Sequence, residues 1–569
     1  MLEPSKNHSE ATEINEGAPK KETSLDRRGF LGRTALTFAG VVGAGIASEA
    51  AKADIGPQAP IERAAKSYFL RENAAAENFH IGAPPHHDNG DEALYPQRWG
   101  SYSKGLQHDA NGQVVPDSYN SMIKALSTGR PADFEKISMG GPRPLTDPQA
   151  ALGFSLEGPD SHAMYMPPAP TLASAETAGE MVELYWMALA RDVPYTNFDT
   201  DPTIAASCAD LNKLSVMRSP KINGSITPAT VFRGNLDGDL NGPLISQFLW
   251  QDMPYGALHI PQYVGCAIPG KQYLTTFDNY LAVQNGTFTG HTDLLGQPRY
   301  MCTIRDMCQW VHVDALYEAY LNACLIVLGG GYPLDAGNPY VKSKTQTGFG
   351  TFGGPHILSL VTGVATLALK AIWYQKWAVH RRLRPEAYGA LVHLKTSKTL
   401  PDLPLHPDVM NSDVIANGKI WAANKANNTQ FNNSTAGSNL LPMAFSEGSP
   451  THPSYGSGHA TVAGACVTIL KAWFDETTPF KNPVYANADG TELLPYTGPV
   501  LTLGGELNKV ASNVGMGRNM SGVHWRTDYY NALLVGEALA IRLLQEEKTT
   551  YNEQSSLSLT KFDGVKITI

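Results

Sequence analysis

The segment from residue 460 to residue 474 constrains the fold more than any other, because it is apolar on nearly every side. Its sequence, ATVAGACVTILKAWF, leaves no continuous polar face at helical spacing. A helix of this kind has to be buried on all sides. Several other helices must then surround it, so the segment predicts a mainly α protein whose helices pack as a bundle.

The surrounding helices are indicated by apolar residues at helical spacing and by helix stop signals. A run of three glycines, residues 329–331, ends the predicted helix 304–328. The predicted helix 355–382 ends before the Arg384-Pro385 step. Thr527 is a suitable N-cap for the last one. The predicted ranges are 176–191, 304–328, 355–382 and 528–547.

Three other regions have the composition of irregular structure. Residues 54–170 are dense in Pro, Gly and Asn, which predicts a long wrap with few regular elements. Residues 195–300 predict short strands and loops. Residues 411–440 contain eight asparagines, which predicts a loop or a subunit contact rather than a catalytic element.

The first 53 residues have the pattern of an export signal. The pair Arg27-Arg28 precedes a short apolar run at 35–47, and Ala51-Lys52-Ala53 has small residues where a signal peptidase cleaves. Paired arginines of this kind resemble a twin-arginine signal, which predicts a periplasmic protein. The apolar run is too short to span a bilayer, so we expect no membrane span. A net charge of -9 without a basic run predicts no nucleic-acid partner.

Three short segments in the last third of the chain carry the residues best suited to chemistry. They supply three cations, two polar donors at a predicted helix start and two histidines. This set suits a tetrahedral oxyanion that also has one covalent ligand. The segments are Lys376 to Arg384-Pro385, then Ser457-Gly458-His459, then Arg518 to His524 with Asp528 four residues further on.

The second segment predicts an anion seat at the start of the buried helix. Ser457 lies near the N-cap and Gly458 lets an anion approach the backbone, where the first N–H groups and the positive end of the helix dipole are free. The first segment adds Lys376 and Arg384, which lie eight residues apart. Because two helical turns span about seven residues, both side chains can point to one side of a regular helix end.

The third segment supplies a ligand and a partner for that ligand. Arg518 adds a fork-shaped guanidinium donor. His524 precedes the last helix, where Asp528 is placed to accept its second ring N–H and to fix the tautomer for ligation. Arg381 and Arg382, in the first segment, fall on other faces of their helix and are interpreted as surface or ion-pair residues.

The patterns Lys-x7-Arg-Pro, Ser-Gly-His and Arg-x5-His-x3-Asp together resemble the signature shared by vanadium-dependent haloperoxidases and lipid-phosphatase-like acid phosphatases. The stretches 373–386 and 449–461 are also similar to the red-algal bromoperoxidases. The resemblance is clear over about residues 300–546 and weaker back to about 175. It implies two packed four-helix bundles with long irregular loops and few short strands. The first bundle would lie in residues 54–299, and the vanadate-binding bundle in residues 300–569.

The resemblance also implies a vanadate cofactor, one per chain, and a role for each cation. His524 would be the single covalent ligand of vanadium. Lys376, Arg384 and Arg518 would neutralise the vanadate oxygens, and Lys376 would also polarise the bound peroxide. Structural calcium, which some relatives hold, is implied as well, but no acidic cluster in the sequence places it.

The remaining site residues would touch the oxygens, the proton and the halide. Ser457 and the N–H of Gly458 would donate hydrogen bonds to vanadate. His459 would be the acid–base residue beside the apical oxygen, and His452 would lie near the halide. Trp373 stands where algal bromoperoxidases often carry Arg, which leaves the choice between bromide and chloride open.

Two smaller departures from the family pattern leave every charged and ligating group in place. Gly456 replaces the Pro that commonly precedes Ser-Gly-His, and Gly517 replaces the Ser or Ala that often precedes the arginine of the third motif. The first substitution predicts a looser turn before the buried helix.

The activity implied is oxidation of a halide, bromide by expectation, with hydrogen peroxide, giving a hypohalous-acid equivalent that halogenates small organic acceptors. The alternative within the same superfamily is an acid phosphatase, in which His524 attacks phosphorus and His459 protonates the leaving group. A non-enzymatic alternative is an anion-binding protein that kept the pocket without turnover. Red-algal relatives are dodecamers, which predicts a large homo-oligomer, either a dodecamer or an assembly of dimers.

Overall fold

The structure, a computed structural model, describes residues 59–287 and 290–569. The predicted export signal lies outside the described residues. Residues 70–569 form one compact unit, and the described residues that precede it, 59–69, include the beginning of a helix. A boundary at residue 300 between two bundles stays a prediction.

The described residues are mainly helical, as predicted. The α-helices are α1 Pro60–Ile81, α2 Asp91–Leu94, α3 Pro116–Thr128, α4 Pro131–Phe134, α5 Ala175–Leu189, α6 Pro202–Leu211, α7 Phe277–Gln284, α8 Ile304–Val313, α9 Glu318–Gly329, α10 Gly354–Tyr374, α11 Pro385–Thr396, α12 Pro407–Asn411, α13 Asp413–Ala416, α14 Lys419–Phe431, α15 Gly458–Trp473, α16 Leu503–Met520 and α17 Arg526–Lys548.

The strands are short and form three separate antiparallel hairpins, which agrees with the few short strands expected. In the first hairpin Met253 pairs with Ile260, in the second Val484 pairs with Pro495, and in the third Ser558 pairs with Thr568. The hairpins are β1 Met253–Tyr255 with β2 Leu258–Ile260, β3 Val484–Ala486 with β4 Leu493–Pro495, and β5 Ser558–Thr560 with β6 Lys566–Thr568.

Helix α15 lies at the centre of the core, which confirms the prediction from its apolar sequence. Every residue of this helix except His459 is buried. It packs against α10, α16 and α17. The approach of α17 is close enough that a Cβ on Gly536 would lie 2.0 Å from the carbonyl oxygen of Thr461. The N-terminal end of α15 therefore sits in a rigid framework of neighbouring helices.

The single helix predicted over residues 304–328 is wrong. The chain forms α8 and α9, which are bent by 100° at a short break. Asp314 ends α8 with extended backbone angles, φ -58° and ψ 140°, and its carboxylate accepts a hydrogen bond from His459 at 3.0 Å. No glycine or proline marks this break in the sequence. The contact that stabilises it is made with a residue more than 140 positions away, so the local sequence does not predict it.

The prediction of one regular helix over residues 355–382 also needs correction. Helix α10 continues as a π-helical turn, Gln375–His380, and Arg381 then adopts left-handed angles with φ 37°. The argument that placed Lys376 and Arg384 on one face by α-helical spacing is therefore wrong. The π turn and the left-handed residue instead redirect the chain before the Arg384-Pro385 step.

Two regions predicted as irregular contain helices. Residues 54–170 include the 22-residue helix α1 and the 13-residue helix α3. Residues 411–440 are largely helical, because buried asparagines replace apolar packing with hydrogen bonds to neighbouring main chain. Asn424 donates to the carbonyls of Ser438 and Leu440, both at 3.0 Å, and Asn428 donates to that of Thr275 at 3.1 Å.

One described stretch, Gly354–His380, is long and apolar enough to cross a membrane, and the bent pair α8–α9 would be a second if it were one span. A mostly buried core helix of a globular protein passes the same test, but only 39% of the most apolar window of Gly354–His380 is buried inside this fold. The absence of a membrane span stays a prediction.

Candidate active site

The start of helix α15 has the geometry of an anion seat. Ser457 is the N-cap, and its hydroxyl oxygen accepts a hydrogen bond from the N–H of Ala460 at 3.4 Å, which leaves the hydroxyl proton free to donate. The N–H groups of Gly458 and His459 have no hydrogen-bond partner among the described residues. A Cβ on Gly458 would lie 3.1 Å from the ring of Trp373, so a larger residue would crowd this point.

Three buried cations from two of the sequence motifs meet at this helix start. Lys376 Nζ donates only to main-chain carbonyls, those of Pro453 at 2.8 Å and Ser454 at 3.1 Å. Arg384 donates from Nη1 to the carbonyl of Val523 at 2.7 Å. Arg518 donates from Nη1 to a carbonyl of α8 at 2.6 Å, and its Nε is buried without a partner.

The three cations have no carboxylate in ion-pair contact, although Asp528 raises the pKa of Lys376 and Arg384 from a distance, and Asp314 and Glu447 raise that of Arg518. Across residues 59–287 and 290–569, none of the three forms an ion pair with Asp or Glu. Burial lowers the pKa of Lys376 well below its ordinary value, and the charges of Arg384 and Arg518 lower it further. Burial and repulsion by Arg518 lower the pKa of Arg384 to about 10. Since isolated buried charges are costly, this arrangement favours an anion among the three side chains.

His524 reaches the same cluster with its tautomer fixed by hydrogen bonds. Its Nδ1 donates to Asp528 Oδ2 at 3.0 Å, and its Nε2 accepts from Arg384 Nη1 at 3.0 Å. The Nε2 lone pair therefore faces the cations. Burial, followed by repulsion from Arg384 and Lys376, lowers the pKa of His524 well below its ordinary value and keeps the ring neutral. A neutral imidazole with an outward lone pair is the form that binds a metal centre.

Asp528 is itself held by Arg382, and this outer layer was missed by the sequence analysis. Arg382 Nη1 donates to Asp528 Oδ1 at 2.9 Å, and Nη2 donates to Glu180 Oε2 at 3.0 Å. Arg382 is only 2% exposed, so the interpretation as a surface residue is wrong, while the ion-pair alternative holds. The left-handed Arg381, which turns Arg382 inward, has no simple sequence signal.

His459 is paired with Asp314, a residue that the sequence analysis did not single out. His459 Nε2 donates to Asp314 Oδ1 at 3.0 Å. Burial lowers the pKa of His459, Asp314 raises it, and Arg518 and Lys376 lower it again, with a net decrease. Burial raises the pKa of Asp314, but the charge of His459 when it is protonated, the hydrogen bond from that ring and the charge of Arg518 together hold it below its ordinary value. The pair is a neutral imidazole beside a carboxylate, which suits a general base.

His452 contacts Nη2 of Arg384, whereas His524 contacts Nη1, and the His452 ring lies next to Trp373. Arg384 Nη2 donates to His452 Nδ1 at 2.9 Å, and Nε donates to the carbonyl of His452 at 2.9 Å. The rings of His452 and Trp373 lie 4.9 Å apart, and Lys376 Nζ lies 5.7 Å from the Trp373 ring. Burial lowers the pKa of His452 well below its ordinary value, and Lys376 and Arg384 lower it further.

A pocket of about 250 Å³ leads to this cluster on the side of His459 and Arg518. Apolar and charged side chains share its wall. The pocket is lined by Arg143, His312, Asp314, Leu316, Phe445, Glu447, Gly448, Pro450, His459 and Arg518.

The structure thus brings all eight residues predicted from the sequence into one region around the start of α15. It defines an α-helical protein with a buried oxyanion seat, three unpaired cations and two histidine–carboxylate pairs. The donor set fits a tetrahedral oxyanion such as vanadate, because free N–H and O–H groups and cations surround a histidine lone pair without an opposing carboxylate in direct ion-pair contact. Among the described residues, no group of three or more His, Cys, Asp or Glu side chains could hold a metal ion, so calcium remains unplaced.

Comparison with known proteins identifies the family. Residues 358–553 match the family model of the VCPO second helical-bundle domain. Vanadium-dependent bromoperoxidases from Corallina pilulifera and Corallina officinalis are each 37% identical to this chain, over 89% of it and 98% of their own length. One from Ascophyllum nodosum is 35% identical over 89% of this chain and 92% of its own.

A solved structure agrees with the sequence comparison. The homohexameric structure of the second vanadate-dependent bromoperoxidase from Ascophyllum nodosum matches with a TM-score of 0.85 at 29% identity, covering 97% of this chain and 94% of that one. The chain belongs to the vanadium-dependent haloperoxidases. The expected helical fold, vanadate-dependent haloperoxidase function and enzyme class are confirmed.

Proposed function

We propose that the chain is a vanadate-dependent bromoperoxidase whose cofactor lies among Lys376, Arg384, Arg518 and His524. One observation carries this assignment: three buried cations lack an ion-paired carboxylate and lie around Nε2 of a neutral histidine, whose lone pair accepts a hydrogen bond from Arg384. His524 Nε2 would be the covalent ligand of vanadium. The three cations would neutralise the vanadate oxygens.

The start of α15 would complete the binding site. Ser457 has a free hydroxyl proton and Gly458 a free main-chain N–H, and both would donate hydrogen bonds to vanadate oxygens. When bound, vanadate would supply a Lewis-acid centre that activates hydrogen peroxide without changing oxidation state. Lys376, as a charge-assisted donor, would favour the developing negative charge on the peroxide oxygen that departs.

His459 would handle the proton of hydrogen peroxide. Because Nε2 donates a hydrogen bond to Asp314, Nδ1 would be the nitrogen that takes a proton from the peroxide and returns it to the departing oxygen. The lowered pKa of His459 keeps this nitrogen unprotonated at the start of the cycle. Asp314 then stabilises the imidazolium that forms.

We place the halide beside His452 and Trp373, where Nη2 of Arg384 donates to His452. The cations there attract a halide, and the indole ring provides a weakly hydrated wall. Bromide is the proposed halide because the three relatives described above are bromoperoxidases. The test is the ratio of bromide to chloride turnover in vanadate-loaded parent and Trp373→Arg protein. A ratio that Trp373→Arg leaves unchanged would contradict the placement.

The rival function is acid phosphatase activity with His524 as the nucleophile. Dialysis against EDTA at acid pH should remove vanadate and halide oxidation together, and added vanadate should restore that oxidation unless phosphate competes for the site. Phosphatase turnover by the vanadate-free chain, without vanadate-dependent halide oxidation, would favour the rival.

The reactants and assembly follow from the same assignment. Hydrogen peroxide, a halide and small organic acceptors are the proposed partners. A homo-oligomer is proposed because a relative with the same fold is a homohexamer, and dodecamer and dimer-based assemblies are distinguished by mass measurement in solution. We also propose export to the periplasm through a twin-arginine-type signal in residues 1–53, tested by loss of export in an Arg27→Lys, Arg28→Lys variant.

A further inference from the structure

A second histidine–carboxylate pair lines the pocket that leads to the site. His312, in the last turn of α8, has its Nε2 2.6 Å from Glu447 Oε1. The side chains of His312 and Glu447 are 19% and 25% exposed, against 18% for His459 and 3% for Asp314. The carboxylate of Glu447 therefore lies nearer to solvent than that of Asp314, the two histidines are about equally exposed, and both pairs line the same pocket.

The outer pair is held in a defined orientation. The His312 ring stacks on Phe445, with centroids 3.9 Å apart and planes at 10°. The guanidinium of Arg518 lies 5.6 Å from the centre of the same Phe445 ring. The main-chain carbonyl of Glu447 accepts a hydrogen bond from Lys104 at 2.7 Å, and Lys104 in turn pairs with Glu386 at 2.7 Å. These contacts fix the orientation of the His312 ring and the position of the Glu447 main chain.

The reaction of the family explains why a second proton-carrying pair would be needed. Halide oxidation by hydrogen peroxide follows X⁻ + H₂O₂ + H⁺ → HOX + H₂O. The O–O bond breaks, one oxygen bonds to the halide, which loses an electron pair, and the other oxygen leaves as water with the added proton. Each turnover thus consumes a proton inside a site whose three unpaired cations repel protons.

We propose that His312 and Glu447 form an outer proton-transfer pair that carries protons from solvent through the pocket to His459. The inference rests on the haloperoxidase function and deepens it. The pocket volume of about 250 Å³ is large enough for several waters to connect the two pairs. His312 acts through His459 and does not touch the reacting atoms.

The charges around His312 suit a carrier that is repeatedly protonated. Burial raises the pKa of Glu447, but the hydrogen bond and charge of His312, with a contribution from Arg143, lower it to about 2. Glu447 thus remains a carboxylate, and its Oε1 lies 2.6 Å from Nε2 of His312. The charged or titratable groups that face His312 from neighbouring elements are Arg143, Asp314, Glu447, His459 and Arg518.

The test uses vanadate-loaded, full-length protein and three variants. His312→Gln retains a side-chain donor for Glu447 but cannot carry a proton, and Glu447→Gln removes the negative charge. His291→Gln is the control, because His291 is 88% exposed and lies outside this pocket. Bromide-dependent consumption of hydrogen peroxide is followed across pH, with and without imidazole, because tribromide does not accumulate at high pH. Vanadate affinity is measured by ⁵¹V NMR titration. Without imidazole no organic acceptor is present, so loss of an acceptor-binding role alone would not change that rate, and each rate with imidazole is compared with that of the parent under the same conditions.

For His312→Gln we expect kcat to fall by about tenfold or more at high pH, the limit at which proton supply is slowest. Imidazole should restore the rate, while vanadate affinity and the KM for bromide stay unchanged. Glu447→Gln should move the high-pH limb of the profile to lower pH, and His291→Gln should follow the parent.

Two results would overturn the proposal. One is a kcat within about twofold of the parent at every pH in both pocket variants. The other is a loss of rate that imidazole does not restore and that accompanies weaker vanadate binding, which indicates a structural role. The activity of the parent protein distinguishes failure of this proposal from failure of the proposed bromide oxidation. If the chain did not oxidise bromide at all, the parent and all variants would be inactive.

Discussion

The substitution Asp528→Asn probes how the cofactor ligand is oriented. The two carboxylate oxygens of Asp528 accept three hydrogen bonds, from His524 Nδ1 at 3.0 Å, the N–H of Trp525 at 3.1 Å and Arg382 Nη1 at 2.9 Å. An asparagine offers one acceptor oxygen and one NH₂ donor. At least one of these donors would then face another donor. The substitution therefore loosens the tautomer of His524 or leaves Arg382 partly unpaired.

The magnitude can be worked from these contacts. Removing the outer partner of a metal-binding histidine typically costs about 10–100-fold in affinity, or about 1.4–2.8 kcal/mol. Stability should fall by about 1–3 kcal/mol for a buried group left unsatisfied. The loss stays below the roughly 3–5 kcal/mol of a fully unpaired buried charge, because Arg382 keeps Glu180 at 3.0 Å.

Vanadate affinity is measured by ⁵¹V NMR titration and stability by urea unfolding of the vanadate-free protein. Asp489→Asn is the matched control, because Asp489 is exposed in the turn between β3 and β4. We expect the control to bind vanadate like the parent. A vanadate affinity for Asp528→Asn within about twofold of the parent would refute the argument that Asp528 prepares His524 for ligation.

Three further predictions follow from the same geometry. His459→Ala should cut halide turnover by about 10²–10⁴-fold with vanadate affinity retained, and full activity would remove its acid–base role. Gly458→Ala should weaken vanadate binding, since the added Cβ lies 3.1 Å from the Trp373 ring, whereas Gly363→Ala, with no atom within 4 Å, should leave binding unchanged. The vanadate-free protein should lose stability on acidification below about pH 6.5. His452, His459 and His524 have lowered pKa values when folded, so the unfolded chain binds more protons there; urea midpoints that stay constant from pH 7 to pH 5 would contradict this.

Much of the core was predictable because local sequence and burial agree. The apolar pattern of residues 460–474 needs no partner to be interpreted, and α15 is buried along its length except at His459. The bend after Val313 was not predictable, because Asp314 leaves the helix for a hydrogen bond to a distant histidine. The helix α14 was missed for a related reason: its asparagines are satisfied by main-chain groups that only the folded chain brings near.

The site residues were predictable by motif, but their arrangement was not. The place of His524 beside Asp528 follows from four-residue spacing at a helix start, and the structure has that contact at 3.0 Å. Lys376 and Arg384 reach the cluster through a π turn and a left-handed residue, which α-helical spacing does not describe. Asp314 and Arg382 were missed because each acts through a long-range contact with another site residue.

Anomalous diffraction at the vanadium edge, from crystals soaked in orthovanadate, tests the central claim most directly. The account predicts one strong peak per chain beside Nε2 of His524, in the space bounded by Lys376, Arg384 and Arg518. A His524→Ala crystal should lack that peak under the same soak. A peak elsewhere in the chain, or an unchanged peak in His524→Ala, would contradict the assignment of this cluster as the vanadate site.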